Sequence, residues 1–440
     1  MTSNSKAILV DLQKKNFYSL TPLISTIDRD ERLRDLDLKT FESLNSQILK
    51  DHLNKYGEIV VAISFRSAQL IEIYNQMKQF YDELSYSEIR KITFIAGGSH
   101  PSGDSLNTLK MGFDYAFIGE AEYSLSDFLN RFLEKRDLKA TPGVAYFDDN
   151  REKVVKNPNP PLIDLNDYPL VSQKRGLYPP LEITRGCSFG CKFCQVPNLF
   201  HHNVRHRSPD VVMDTVKWMM PRKLNDIRFI TPNSFGYMSK SPRSVNKEAI
   251  LQLLSSISSL EGIRSVYFGT FPGEVRPETV TEDLVSAVKP LITNRRISIG
   301  LQSGSEKVLQ KIMRGHSVEE GIKAINILIS EGFQPIVDFI FGLPGASEQD
   351  EVESINIIED LVKKNTIIRA HVFMPLPGTA FSNETYGRVP SKIRKILGSL
   401  TKEGKIEGNW ATQEKYVEEA WKTAKAVSQN PIIKREDNHN

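Results

Sequence analysis

Short β-branched runs alternate with longer amphipathic stretches over the first quarter of the chain, and Ala7 to Val10, Ile59 to Ser64, Ile92 to Ala96 and Tyr115 to Ile118 read as strands. Apolar runs this short, spaced by segments of helical period, predict a parallel sheet with crossover helices, doubly wound in the Rossmann or flavodoxin manner. Between them, Ile71, Tyr74 and Met77 form a stripe of helical spacing that is expected to face the core. The third and fourth runs end in Gly97-Gly98-Ser99-His100-Pro101 and Gly119-Glu120-Ala121-Glu122. Polar, glycine-bearing loops at strand C-termini are where open α/β sheets bind ligands.

A hairpin is expected from Gly143 to Phe147 followed by Asp148-Asp149-Asn150, and Asn157-Pro158-Asn159-Pro160-Pro161 then supplies a stiff stretch. This punctuation places a first domain at 1–150 and a linker at 151–180. The rhythm then resumes with strands at Leu181 to Thr184, Ile227 to Thr231, Val266 to Phe271, Ile297 to Leu301, Ile336 to Phe341 and Arg369 to Met374. Helical patterns such as Ser317 to Ser330 lie between them, and Ser208-Pro209-Asp210 joins a capping serine to a first-turn proline. Six such units over 181–385 predict a partial (β/α)6, TIM-like barrel. Residues 386–440 read as a helical extension with Trp410 between two segments, ending in a polar tail at Lys434 to Asn440 that is expected to be disordered.

Composition narrows the classes. With 57 Lys and Arg against 54 Asp and Glu in 440 residues, the net charge of +3 gives no global reason to expect nucleic acid or an anionic membrane. The longest apolar runs, Ile59 to Ile63 and Ile336 to Ile340, fall far short of the roughly 18 residues a membrane span requires. The N-terminal apolar stretch is too short for a signal-peptide core, so a cytoplasmic location is the expectation.

All three cysteines fall between Cys187 and Cys194, in Thr184-Arg185-Gly186-Cys187-Ser188-Phe189-Gly190-Cys191-Lys192-Phe193-Cys194. This CxxxCxxC loop follows a strand, and three thiolates suit a metal centre. A four-iron cluster usually takes four cysteines, so three would leave one iron open to another ligand. Two other readings fit the same residues: a zinc site completed by His201, His202 or His206, and three buried structural cysteines. On the zinc reading, His201, His202, Arg205, His206 and Arg207 would form a basic patch for nucleic acid, but only Phe200 supplies an aromatic platform there.

The cysteine loop resembles that of the radical S-adenosylmethionine (SAM) superfamily, and Phe193 occupies the aromatic position common before its last cysteine. Three later segments strengthen the resemblance: Gly300-Leu301-Gln302-Ser303-Gly304-Ser305, Asp338-Phe339-Ile340-Phe341-Gly342-Leu343-Pro344-Gly345, and Phe373-Met374-Pro375-Leu376-Pro377-Gly378-Thr379. It implies a 4Fe-4S cluster on Cys187, Cys191 and Cys194 with SAM on the open iron. In that chemistry one electron cleaves SAM to a 5′-deoxyadenosyl radical that abstracts hydrogen from an unactivated carbon. Phe193, Gln302, Ser303, Ser305, Arg314 and Gly342 are the implied cofactor contacts, with Glu274 and Arg276 as further mouth-lining residues or an exposed ion pair. One departure is that Thr231-Pro232-Asn233-Ser234-Phe235 stands where many members carry Gly-Gly-Glu for the SAM amino group.

The first domain resembles the cobalamin-binding domain often fused ahead of such barrels, which implies cofactor contacts at Gly97, Gly98, Gly119 and Glu120. No lower-axial imidazole is implied, because Asp11-Leu12-Gln13-Lys14-Lys15-Asn16 lacks the histidine and glycine of the Asp-x-His-x-x-Gly motif. His100 is expected to cap its loop rather than bind cobalt. If cobalamin binds, methyl transfer to an unactivated carbon is implied; otherwise cyclisation or rearrangement. Methylthiolation is disfavoured because residues 1–186 hold no cysteine for a second cluster. The resemblance further implies a small-molecule substrate and an electron donor such as ferredoxin or flavodoxin.

Overall fold

The computed structural model describes residues 6–432, so the expected disordered tail lies outside the described residues. By its contacts the chain forms two compact units: one runs to Pro179 and takes in Leu376–Gly378 and the segment from Glu419, the other is Pro180–Pro375 with Thr379–Glu418.

The first unit is built on a seven-stranded sheet in the order β2-β1-β3-β4-β5-β6-β7. Its strands are β1 (Lys6–Asp11), β2 (Leu36–Phe41), β3 (Ile59–Ser64), β4 (Ile92–Gly97), β5 (Tyr115–Phe117), β6 (Val144–Phe147) and β7 (Val154–Lys156). The first five pair in parallel and the last two form an antiparallel hairpin, as the patterning predicts. Strands β1 and β3 are buried along their whole length, which is why they read as unbroken apolar runs. The β2 strand escapes that pattern: it lies at the edge, and Asp37 and Lys39 alternate with buried Leu36 and Leu38.

The chain leaves β1 in one direction to β2 and in the other to β3, so the sheet's switch point lies beyond the carboxyl ends of β1 and β3. One face of the sheet is covered by a core that includes Val61, Phe94, Met77 and Phe80, closed by Val427 from the C-terminal segment. On the helix Leu70–Glu83 the buried stripe is Leu70, Ile73, Met77 and Phe80, with Tyr74 packed beside it; Ile71 falls off that stripe and is half-buried.

The second unit begins with β8 (Leu181–Glu182), β9 (Thr184–Arg185) and β10 (Arg205–His206). It continues through β11 (Asp226–Ile230), β12 (Ser265–Tyr267), β13 (Arg296–Gln302), β14 (Gln334–Phe341), β15 (Ile367–Val372) and β16 (Ile406–Glu407). Parallel ladders run β8-β11-β12 and β13-β14-β15-β16, and single bridges at Thr231 with Gly273 and Val275 with Ile299 join the two groups. The result is the expected partial barrel with its six strands in chain order, extended by the short β16, which patterning did not reveal. Among the described residues no ladder joins β16 to β8, so the barrel is open.

Helix starts follow the sequence signals. Ser208 accepts from Val211 N–H ahead of Pro209, and Ser317 forms a capping box with Glu320 at the head of Val318–Ser330. Helices Ser391–Lys402 and Trp410–Gln429 form the extension, and Trp410 is buried with its indole N–H on the Thr401 hydroxyl.

Met77 has no exposed surface, and its removal leaves a cavity in a core shared by strands and helices. Met77→Ala is therefore expected to destabilise the first unit by about 3 kcal/mol, read as a lowered urea midpoint.

Candidate active site

The cysteine loop is an excursion from an antiparallel pair. In β9 and β10, Arg185 faces Arg205 and Thr184 faces His206, so residues 186–204 leave and return at one point. Gly186 has φ of +91°, and a Cβ there would lie 2.0 Å from the Asn203 carbonyl oxygen, so only glycine lets the loop close. The entry is held by Arg185, whose guanidinium pairs with Glu182 at 2.7 and 2.9 Å. Inside the loop the Cys194 N–H donates to the Cys191 carbonyl at 3.0 Å, and the Lys192 N–H donates to the Ile312 carbonyl at 3.0 Å. Phe193 packs on Val308, Leu309, Ile312, Phe373 and Phe381, which explains an aromatic between the last two cysteines as an anchor to the barrel wall.

Two guanidiniums meet the thiol of buried Cys191: Arg314 Nη1 lies 3.6 Å and Arg276 Nη1 3.9 Å from its Sγ. Neither arginine is a surface residue. Arg276 lies 3.4 Å over the Phe189 ring, pairs with buried Glu278 and donates to the Arg314 carbonyl. Of the two readings open for Glu274 and Arg276, the mutual ion pair is not found among the described residues: Arg276 pairs with Glu278 and Glu274 with Arg369. Arg314 donates to the Gly300 carbonyl at 2.7 Å, and its Nε is buried without a partner.

Burial, with the neighbouring thiols of Cys191 and Cys187, pushes the Cys194 thiol up to about 11, and burial likewise raises Cys187. The three thiols thus sense one another's charge, yet among the described residues no three His, Cys, Asp or Glu side chains converge on a single ion. Three cysteines on one loop suit an iron-sulfur cluster, and the two buried guanidiniums offset the negative charge that three thiolates bring. A cleft of about 290 Å³ opens beside Cys187, lined by Thr184, His202, Asn233, Lys240 and Arg276. His201 and His202 are exposed, whereas His206 Nδ1 meets the Thr184 hydroxyl at 2.9 Å and the Met238 N–H at 3.3 Å.

The other sequence-predicted residues of this unit separate into two groups. Gln302 lies beside Arg314: the β13 ladder shifts register between Gly300 and Gln302, and Gln302 takes a φ of +77°. A Cβ on Gly300 would meet Gln302 Nε2 at 2.6 Å and Arg314 Nη2 at 2.7 Å, so the bulge and the bare glycine bring amide and guanidinium together. Ser303, Ser305 and Gly342 instead bind the frame. Ser305 donates to Asp350 at 2.7 Å, Ser303 Oγ lies 3.4 Å from Ser354 Oγ, and Gly342 N–H donates to Glu351 at 2.8 Å. A Cβ at Gly342 would strike the backbone of Arg388 at 2.6 Å. Burial opposes the charge on Asp350, but hydrogen bonds from Ser347, then Ser305 and Lys307, outweigh it and hold its carboxyl well below the usual range.

Sequence reasoning missed a polar group inside the barrel. Asp338 Oδ1 accepts from Arg369 Nη1 at 3.2 Å and lies 3.3 Å from His371 Nε2, and Glu274 Oε1 lies 3.7 Å from the same Arg369 nitrogen. A signal was present, since a buried strand such as β14 does not admit an aspartate for packing alone.

In the first unit, Gly97 ends β4 opposite Ser64, and a Cβ on Gly98 would lie 2.7 Å from the Phe65 carbonyl. Gly119 has φ of +73° and donates its N–H to Ser102, while Glu120 accepts from Ile163 N–H at 3.3 Å. His100 is buried, stacked on Phe65 and hydrogen-bonded through Nδ1 to Ser67 at 2.9 Å.

Cys191→Ser is expected to reduce bound iron after anaerobic reconstitution from about four per chain to near zero, and Gly186→Ala to fall well short of the parent. A colorimetric iron assay checks both, with a melting curve to show that the chain stays folded. For Asp350, a depressed native pKa means stability that is present above the unfolded value and lost as pH falls. Asp350→Asn should therefore melt below the parent above about pH 5, and the gap should shrink as pH drops through about 4.

Residues 181–358 match the radical SAM superfamily. An uncharacterized protein of Methanocaldococcus jannaschii is 23% identical over 386 residues, covering 81% of this chain and 80% of that protein. A tRNA-2-methylthio-N(6)-dimethylallyladenosine synthase of Buchnera aphidicola is 28% identical over 208 residues, 46% of this chain and 45% of the synthase. Among solved structures, the cobalamin-dependent SAM radical enzyme OxsB superposes with a TM-score of 0.66 at 17% identity, covering 91% of this chain and 62% of its own. The radical SAM methyltransferase TsrM of Kitasatospora setae gives 0.65 at 13% identity over 86% of this chain and 74% of its own. The chain thus spans about three fifths of OxsB and under half of the synthase. With a CxxxCxxC loop on an open parallel barrel, residues 181–358 form a radical SAM domain, of the superfamily whose enzymes use a 4Fe-4S cluster and SAM, and the chain as a whole shares the fold of OxsB and TsrM.

Proposed function

We propose that this enzyme transfers a methyl group to an unactivated carbon of a small molecule, with cobalamin as the methyl carrier. The observation that carries the reading is the extent of the fold likeness: 91% of the chain superposes on OxsB and 86% on TsrM, so the likeness reaches well beyond the residues that match the superfamily. Cluster and SAM together supply a carbon-centred radical when bound, and cobalamin supplies a transferable methyl group.

The chain's own residues do the rest. Cys187, Cys191 and Cys194 hold the cluster, while Arg276 and Arg314 compensate its charge. Gln302 and Arg314, brought together by the β13 bulge, are positioned to bind the polar end of SAM, and a guanidinium suits its carboxylate. Ser303 and Ser305 hold that strand end through Ser354 and Asp350, and Gly342 holds the end of β14 through Glu351.

For cobalamin, the crevice at the switch point of the first sheet offers Asp11, Asn16, Ser19 and Ser64. Asp11 is fully buried with Oδ1 unpartnered, and burial raises its pKa to about 6. Such a carboxyl, still mainly charged at pH 7 and protonated in only a minor fraction, suits a polar, amide-bearing ligand as a hydrogen-bond acceptor. Gly97, Gly98, Gly119 and Glu120 sit on the neighbouring loops. His100 is turned into the core, so cobalt would take no imidazole from it. An external reductant such as ferredoxin or flavodoxin would deliver the electron, in the cytoplasm. Among the described residues no helix is long and apolar enough to cross a membrane. Methylthiolation, the reaction in the names of several relatives, lacks its second set of cysteines, because residues 1–186 contain none.

The test is anaerobic reconstitution with iron and sulfide followed by hydroxocobalamin, desalting, metal counts and a SAM cleavage assay under dithionite. About four irons, stoichiometric cobalt and 5′-deoxyadenosine are expected. Four irons and 5′-deoxyadenosine without cobalt would overturn cobalamin-dependent methyl transfer in favour of cyclisation or rearrangement.

A further inference from the structure

We infer that Asp338, with Glu274, Arg369 and His371, forms a recognition site inside the barrel for a protonated amine carried by the substrate. The inference rests on the reading of the barrel as the seat of the chemistry and adds a substrate class to it.

Parallel register brings the group together. Gly300, Asp338 and Arg369 stand side by side on β13, β14 and β15, and His371 follows Arg369 on the same face two residues on. On β15 the alternate residues Ile368, Ala370 and Val372 are buried, whereas Ile367, Arg369 and His371 are half-buried. A barrel filled by its own side chains would bury both sets. The partly exposed set therefore borders open space, and that space runs along the polar residues.

Partner accounting shows what the space lacks. Asp338 Oδ1 has both Arg369 and His371, but Oδ2 is buried and unpartnered in a residue only 3% exposed. A buried carboxylate oxygen without a donor costs free energy that a bound N–H or O–H would recover.

Charge then chooses among donors. Glu274 and Asp338 bring two carboxyl groups against the single guanidinium of Arg369. Arg314 also faces Glu274, but it is engaged with the Gly300 carbonyl and the Cys191 thiol, which becomes a thiolate on binding iron. Burial, and then the Asp338 carboxylate, push Glu274 upward, as expected where negative charge is in excess. An ammonium supplies both the missing donor and the missing positive charge, whereas a hydroxyl supplies only the first. Because Arg314 meets both the Cys191 thiol and the carbonyl of Gly300, which stands beside Asp338 on the neighbouring strand, an amine seated here holds the attached carbon skeleton toward the cysteine loop.

The probe is butylamine, compared with N-butylacetamide and butyrate by saturation-transfer NMR on the reconstituted enzyme. Butylamine is expected to bind selectively, with about tenfold weaker binding in Asp338→Asn and in Glu274→Gln. Should Asp338→Asn fail to give a cooperative melt, Glu274→Gln decides. Equal signals from amine and amide, unchanged binding in both variants, or displacement of butylamine by SAM alone would overturn the inference; the last would assign the site to the cofactor's own ammonium. Iron is counted on the same samples, so the two readings fail separately. Amine selectivity in a chain that loads no iron removes the cluster assignment and leaves this site standing, and full iron without selectivity does the reverse.

Discussion

The contact on which the site depends is that of Arg276 and Arg314 with the thiol of Cys191. Two guanidiniums are removed from water, and each is tolerated because something negative or rich in electrons lies against it. For Arg276 these are the Glu278 carboxylate and the face of Phe189; for Arg314 they are the Gly300 carbonyl and the thiol itself. Since Arg276 also donates to the Arg314 carbonyl, the two form one brace, and the cysteine loop is pressed onto β13 by charge as well as by the Phe193 anchor. Glycine at 186 and 300 makes the approach possible, in one case by letting the loop close and in the other by clearing the strand.

The same brace joins two chemistries. On one side of Arg314 lies sulfur, and on the other lie the oxygens and nitrogens of Glu274, Asp338, Arg369 and His371. The register of three parallel strands sets this order. A shift of one residue in β14 would turn Asp338 outward and Phe339 inward. The frame of Ser303, Ser305, Asp350 and Ser354 ties the end of β13 to the helix Glu348–Val362 that follows β14, and so guards that register.

Much of the architecture was legible because buried parallel strands are apolar on both faces. Ile59 to Ser64 appears in the structure with the same bounds as in the sequence, and the barrel strands differ mainly at their ends. Strand β12 stops at Tyr267 rather than Phe271, since the chain turns at Gly269 with φ of +70° and only touches its neighbours again through isolated bridges. What stayed hidden was whatever depends on distant partners. Strand β2 is half polar because it is an edge, and Arg276 reads equally as a mouth-lining residue or half of an exposed ion pair until Glu278 and Phe189 are seen to enclose it. The Glu274, Asp338, Arg369 and His371 group spans almost a hundred residues of sequence, so no local pattern could assemble it. Conversely, Ser303, Ser305 and Gly342 have the residue types of ligand contacts, yet their polar atoms satisfy neighbouring helices and backbone.

The first unit reclaims the chain after the barrel is finished: Val427, with no exposed surface, completes the core over β3 and β4, and the Ile432 N–H donates to the Lys110 carbonyl. During synthesis, helices such as Leu70–Glu83 can cover that face of the sheet early, but the place that Val427 fills stays empty while the whole second unit is translated. The last piece of this core is encoded some three hundred residues after the strands it packs on, so the N-terminal unit reaches its full packing only once the chain is nearly finished.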